Sequence, residues 1–463
     1  MVMKAHFIGI GGIGMSALAR YYKAQNWAVS GSDLATSALT KELVKEGVRV
    51  KIGHKTANLP KDAALVVYSQ AIKKSNPELV RAQKEGIPVQ SYPESIGELT
   101  KAYTTVAIAG AHGKSTATAI ASLIAIKAKL DPTVIVGTKL KEFKNSNFRA
   151  GQSNLFILEA DEFGRAFLKY SPSVSLITNI DREHLEVYKN VRGIAAAFLK
   201  FIERTEPGGT VILNKDSKRL FALKNRIARI ARKRRLETTW YSLRSPIARK
   251  IKKIISVPGE HNVSNAVGAY HIGRALRIPE RVIVKAISEY HGAWRRMEYR
   301  GVLRIKKQES RSKKSRSLIH ASKFMIPVYD DYAHHPTEIR ASLAAFREKF
   351  PQSKIVCVFQ PHQTKRLEML FKEFQSAFNG ADSTLVMPIY KVAGRDTRSA
   401  KDSEALVRAM QKRYPKKLVF YLKDPKNLRV ALDTLLSPVA DRHPVLVMMG
   451  AGDIDTYTDR LLR

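Results

Sequence analysis

Short apolar runs alternate with helical stretches along almost the whole chain, and that alternation decides the fold class. HFIGIG, WAVSGSD, ALVVYSQ and IPVQSY, all within residues 4–100, have the length and residue types of buried strands. GMSALARYYKAQ and SALTKELVKEG between them read as helices. The pattern continues through TTVAIAG at 104–110, NLFILEADE and VSLITNID, and then through MIPVYDDY, KIVCVFQP, STLVMPIY and VLVMMGAG. PTEIRASLAAFREKF is a further helix, and HNVSNAVGAYHIGRAL forms one after Pro258-Gly259 breaks the chain. Alternation of this kind builds mainly parallel sheets with helices on their faces. A chain of 463 residues also exceeds what one hydrophobic core organises. The expectation is three α/β domains: 1–100 and 295–463, both Rossmann-like, flanking a central domain at 101–294.

Two glycine loops interrupt the pattern. Gly9-Ile-Gly11-Gly12-Ile-Gly14 follows the first strand and opens a helix, so backbone N–H groups at a helix N-terminus can receive a pyrophosphate. Asp33 ends the next strand, where an acid can reach a ribose hydroxyl. The motif specifies a diphosphate; a nicotinamide cofactor and a UDP-sugar both satisfy it. The second loop, Gly110-Ala111-His112-Gly113-Lys114-Ser115-Thr116, is shorter than the usual G-x-x-x-x-G-K-[ST] spacing but has its setting, between a strand and a helix. Lys114 can neutralise β/γ-phosphate charge and Ser115 can offer its hydroxyl to Mg²⁺. Glu159, Asp161 and Glu162 at a neighbouring strand end are the candidate carboxylates for the ion. The central domain is therefore expected to be of P-loop ATPase type.

Charge and composition exclude some classes. The chain carries 80 Lys+Arg against 41 Asp+Glu, a net charge of +39, which favours acidic substrates and makes nucleic acid a partner to test. Fifteen basic residues fall between Lys215 and Lys253 against two acidic ones, and nine between Arg300 and Lys323 against one. Neither segment has a zinc spacing, a helix-turn-helix signature or an RNA-binding aromatic pattern; organism-wide basicity or a solvated face explains the charge at least as well, and no nucleic-acid function is assigned. KKQESRSKKSRS at 306–317 reads as a mobile surface loop. The single cysteine, Cys357, leaves no intrachain disulfide and points to a reducing compartment, the cytoplasm. No run approaches the ~20 apolar residues of a membrane span. The N-terminal apolar run is glycine-rich and continues into a βα pattern, unlike a signal peptide.

Nine segments in one order resemble the Mur ligase family of peptidoglycan synthesis: HFIGIGGIGMSALA, VAIAGAHGKST, LEADE, TNIDREHLEVY, PGEHNVSNA, WRRMEYRG, VYDDYAHHPTEI, VFQPHQTKR and MGAGDI. The resemblance, nearest to the alanine-adding branch, implies ATP-dependent joining of L-alanine to UDP-N-acetylmuramate through an acyl phosphate. It implies that Gly9, Gly11, Gly12, Gly14, Met15, Ser16, Asp33 and Ser69 hold the UDP-sugar. ATP would lie on Gly110, Ala111, His112, Gly113, Lys114, Ser115 and Thr116, with Asn262 and Asn265 reading the adenine. Mg²⁺ would lie on Ser115 and Glu159, and His184 would belong to a second metal site. Arg296 and Asp331 would close onto ATP, making Lys114, Glu159, His184, Arg296 and Asp331 the catalytic set. Tyr332, His335, His362 and Arg366 would surround the amino acid, with His334 in the same loop.

Several positions depart from the family pattern. Gln363 stands where arginine follows His362, which removes a charge from the expected acceptor pocket. Arg182-Glu183-His184 replaces an acid-Asp-His, and Phe198 falls near the lysine that is carbamylated in sister ligases. The basic segment 306–323 looks like an insertion between two strands. A recycling ligase that adds a whole peptide to the same sugar nucleotide is the nearest alternative. A nicotinamide oxidoreductase and a nucleic-acid-binding ATPase are alternatives of other classes. The expected oligomeric state is a monomer or weak dimer.

Overall fold

The computed structural model describes residues 2–183, 185–306, 323–391, 399–436, 439 and 442–463. The expected histidine His184 and nearly all of the basic insertion therefore lie outside the described residues. Three sheets give three α/β domains. The first contains β1 (Lys4–Ile8), β2 (Ala28–Asp33), β3 (Arg49–Ile52), β4 (Leu65–Tyr68) and β5 (Val89–Ser91) in the order β3-β2-β1-β4-β5. All its pairings are parallel. The strand order reverses direction between β1 and β4, and the first glycine loop leaves β1 at that point, the usual place for a ligand in an open parallel sheet.

The second sheet comprises β6 (Thr104–Ala109), β7 (Thr133–Leu140), β8 (Ser146–Arg149), β9 (Leu155–Glu159), β10 (Val174–Ile177), β11 (Thr210–Asn214) and β12 (Glu237–Tyr241). Its order is β12-β11-β10-β6-β9-β7-β8, parallel except for the β7–β8 pair. β6 lies between β9 and β10, so the phosphate loop after Ala109 meets the ends of both. The third sheet, β13 (Glu298–Lys306), β14 (Lys323–Asp331), β15 (Ile355–Phe359), β16 (Ser383–Val386), β17 (Leu418–Tyr421) and β18 (Val445–Met449), has the order β13-β14-β18-β15-β16-β17. Only its β13–β14 edge is antiparallel.

Two compact units result. Met1–Ser256 with His261–His291 holds the first two sheets, and Val257–Glu260 with Gly292–Arg463 holds the third. In the first unit one apolar cluster runs without a break from Phe7 and Leu18 to Phe156, Phe167 and Phe201. The helix Lys114–Lys127 is buried on nearly every side, which explains its run of Ser, Thr and Ala: small side chains let it pass close to the sheet. By contrast Val191–Arg204 is amphipathic, burying Ile194, Phe198, Phe201 and Ile202. Among the described residues no helix is long and apolar enough to cross a membrane.

Candidate functional site

The phosphate loop is shaped by its glycines. Gly110 and Gly113 have φ of +138° and +83°, where L side chains are strained. A Cβ on Gly113 would stand 2.3 Å from Oδ1 of Asn265, and one on Gly110 2.0 Å from Oγ1 of Thr178. The loop is also clamped from β10. Asn179 accepts from the His112 N–H (3.0 Å) and donates Nδ2 to the His112 carbonyl (2.9 Å), while Thr178 Oγ1 donates to that carbonyl at 2.6 Å. Sequence reasoning gave Thr178 and Asn179 no role. Their signal was present: a Thr-Asn pair directly after the strand beside β6. His112 turns its imidazole to Asp181 (Nε2···Oδ2 3.0 Å).

Lys114 opens the helix and folds back over the loop. Its ammonium donates to the Gly110 carbonyl at 2.7 Å and to Glu162 at 2.9 and 3.1 Å. Burial alone would lower the lysine's pKa; the carboxylates of Glu162, Asp161 and Glu159 overcome it and hold the ammonium charged. Glu162 is therefore engaged by the lysine in this structure. Ser115 donates Oγ to Glu159 at 3.0 Å, and the Gly137 N–H on β7 donates to the same carboxylate at 2.6 Å. Burial raises the Glu159 pKa against the pull of Lys114, Gly137 and Ser115. A hydroxyl and a carboxylate at this separation form a hard oxygen donor pair suited to a divalent cation such as Mg²⁺. Thr116 is buried in the first helical turn.

Asn262 and Asn265 are buried within the helix Glu260–Ala275. Read without the resemblance they would be helix caps; the structure puts Asn265 in the helix interior, its carboxamide against Gly113. Phe198 packs edge-on against Phe167 in the core, at 5.2 Å between centroids.

In the first glycine loop the backbone N–H groups are taken up mainly by the end of β2. Gly9 and Ile10 donate to the Ser32 carbonyl and Gly12 to Gly9. Asp33 accepts from the Gly11 N–H at 2.7 Å, so its carboxylate braces the loop in this structure. A Cβ on Gly14 would meet the Tyr92 hydroxyl at 2.7 Å, and Ser69 approaches Gly9. Met15 and Ser16 have buried side chains, and Ser16 faces Asn147 instead of the loop's open side.

The second unit gathers the other expected residues. Asp331 ends β14, buried, and accepts from the Met297 N–H, the Ala333 N–H and the Ser342 hydroxyl. Burial raises its pKa, opposed first by Arg296. The Arg296 guanidinium lies over the Tyr332 ring, 5.0 Å from its centroid. Its neighbour Arg295, missed by sequence reasoning, is the anchored one. At φ +55° it is buried and donates to the carbonyls of Gly452 (2.9 Å) and Gly450 (2.5 Å). Two adjacent arginines look alike in sequence; only packing separates them. Tyr332, His334 and His362 form a chain of edge-to-face rings, and His362 stacks on Tyr390 at 5.6 Å. Arg366 Nη1 is 3.2 Å from His362 Nδ1. His335 caps the helix Pro336–Lys349, its ring nitrogen accepting from the Thr337 N–H. Gln363 has φ +68°, and its N–H donates to the Tyr390 carbonyl.

Three segments match described domains: the Mur ligase family catalytic domain over 4–104, the Mur ligase middle domain over 108–273, and the Mur ligase glutamate ligase domain over 317–452. A UDP-N-acetylmuramate–L-alanine ligase of Aquifex aeolicus (strain VF5) is 32% identical over 484 residues, covering 100% of this chain and 98% of the relative. The crystal structure of UDP-N-acetylmuramate–alanine ligase from Thermotoga maritima has the same fold, with TM-score 0.77 and 24% identity over 99% of this chain and 98% of that one. MurF ligase from Thermotoga maritima, solved in complex with ADP, shares the fold at TM-score 0.56 and 13% identity, covering 94% of each chain. Matched domain by domain and from end to end, the chain belongs to the Mur ligase family.

Proposed function

We propose that this chain is an ATP-dependent amide ligase that adds L-alanine to UDP-N-acetylmuramate in peptidoglycan precursor synthesis, in the cytoplasm. The observation that carries the reading is one loop. Lys114 and Ser115 stand at a helix N-terminus beside the Glu159 carboxylate of a neighbouring strand, in a chain similar over its whole length to a ligase of that name. Phosphoryl transfer asks for charge neutralisation and alignment more than for a covalent nucleophile.

On this reading residues 1–100 hold the UDP-sugar, 101–294 hold ATP, and 295–463 bring the amino acid. Lys114 leaves Glu162 for the phosphates when nucleotide enters, and Asn262 and Asn265 face the adenine. Ser115 and Glu159 hold Mg²⁺, which when bound would neutralise charge between two anionic reactants. His184 is assigned to a second metal by resemblance. The sugar-nucleotide carboxylate attacks the γ-phosphorus of ATP, giving an acyl phosphate and ADP; the amine of L-alanine then attacks the acyl carbon, losing a proton as phosphate leaves. Arg296 and Asp331 act on the ATP side of the first step. Tyr332, His335, His362 and Arg366 receive the amino acid, the guanidinium of Arg366 matching its carboxylate. Nucleic acid is assigned no part, and the protein is taken as a monomer or weak dimer.

The test is phosphate release with ATP, Mg²⁺ and UDP-N-acetylmuramate, comparing L-alanine, L-serine, glycine and the L-Ala-γ-D-Glu-diamino-acid tripeptide. L-Alanine is expected to give the fastest turnover. Turnover with the tripeptide alone would transfer the assignment to the recycling ligase, and stimulation by DNA or RNA alone would remove the ligase reading.

A further inference from the structure

Asn147 on β8 belongs to the central sheet, yet its wholly buried carboxamide is spent on the first domain. Nδ2 donates to the Ile13 carbonyl at 2.6 Å and to Ser16 Oγ at 3.1 Å, and Oδ1 accepts from Arg20 Nη1 at 2.5 Å. Arg20 is itself held by Glu46, through Nε at 2.9 Å and Nη2 at 2.7 Å. A buried carboxamide with donors and acceptor all engaged fixes its neighbours in one geometry.

The turn it grips is the one that matters to the first glycine loop. The N–H groups of Gly9, Ile10 and Gly11 are taken by Ser32 and Asp33 at the end of β2, and that of Gly12 by the Gly9 carbonyl. A helix leaves the N–H groups of its first turn without intrahelical partners, and Gly12 supplies no side-chain cap to the helix Ile13–Ala24. Ile13, Gly14 and Met15 therefore carry the N–H groups available to an anion. Asn147 holds the carbonyl of Ile13 and the hydroxyl of Ser16, on the same turn.

We infer that Asn147 is a positioning residue for the sugar nucleotide: a central-domain side chain that sets the orientation of the first-turn N–H groups on which the diphosphate rests. The inference rests on the reading of the glycine loop as the UDP-sugar site. Asn147 touches no substrate; it acts through Ile13 and Ser16.

The closing experiment uses the full chain and Asn147→Asp, which keeps the shape and the acceptor for Arg20 but sets a carboxylate against the Ile13 carbonyl. Loss of these buried bonds is expected to raise KM for UDP-N-acetylmuramate about tenfold, with kcat and KM for ATP within about twofold. Ser16→Ala, which removes the hydroxyl's bonds to Asn147 and to the Ile13 carbonyl but leaves Asn147 on Ile13, should shift the same KM in the same direction by less. An unchanged UDP-sugar KM, or equal rises in both KM values, overturns the inference. Hydrogen exchange on the wild-type chain covers the case of a variant that does not fold. UDP-N-acetylmuramate should protect residues 13–16 and 146–149 together, and protection of the glycine loop alone overturns the inference. A wild-type chain without affinity for UDP-N-acetylmuramate removes the loop reading and the inference with it. Tight binding by both wild type and Asn147→Asp removes the inference only.

Discussion

Lys114 and Glu162 form a mostly buried ion pair at the centre of the phosphate loop, with side-chain exposures of 13% and 2%. Breaking such a pair from one side strands a charge, which costs more than losing the pair itself. Lys114→Met is therefore expected to destabilise the first unit by roughly 3 kcal/mol, measured by urea unfolding. Adding Glu162→Gln should restore most of that stability. Phosphate release should stay roughly 100- to 1,000-fold below wild type in both variants, because on the proposed function the ammonium that would meet the ATP phosphates is still missing. Recovery of activity in the double variant would show that Lys114 serves only the fold. The lysine's place in the loop was legible from Gly113-Lys114-Ser115. Its resting partner was not, because Glu159, Asp161 and Glu162 are equivalent in a linear string and only the end of β9 decides which points where.

At the scale of elements, the segment Trp294–Met297 that enters β13 holds two backbone positions at positive φ, Arg295 and Met297. Strain of this kind persists where the surroundings over-determine it. Arg295 provides that by bridging two carbonyls of the loop after β18. Arg295→Met should leave those carbonyls unpaired and lower the melting temperature of the second unit by roughly 6–12 °C, from about 3 kcal/mol. Arg296→Met should shift it much less and act chiefly on turnover. Differential scanning calorimetry beside the phosphate assay separates the two arginines; equal losses of stability would sink the distinction. The glycine loops were legible at this scale because positive φ and close approach demand glycine. The clamp by Thr178 and Asn179 and the brace by Asp33 were not, since each joins segments more than 20 residues apart through side chains that could equally face solvent.

Across the whole molecule the surplus of +39 charges must be tolerated. Much of it lies on exposed faces such as the helix Lys224–Arg234, whose apolar residues Ile227 and Ala231 turn inward. Like charges on a compact surface repel and favour expansion, and salt screens them. The melting temperature is therefore expected to rise by several degrees between 20 and 300 mM NaCl; a flat or falling profile would mean that the basic faces are already compensated.

The sequence by itself determined the fold class, the three-domain order and the two glycine loops between strand and helix. These depend on local periodicity and on residues whose backbone chemistry is unique, glycine above all. The tertiary structure alone decided which carboxylate faces Lys114, which of two arginines is buried, and that Asn147 of one domain grips the helix of another. Those choices are made by packing between segments distant in sequence, where several residues of the same chemistry compete and only burial selects among them.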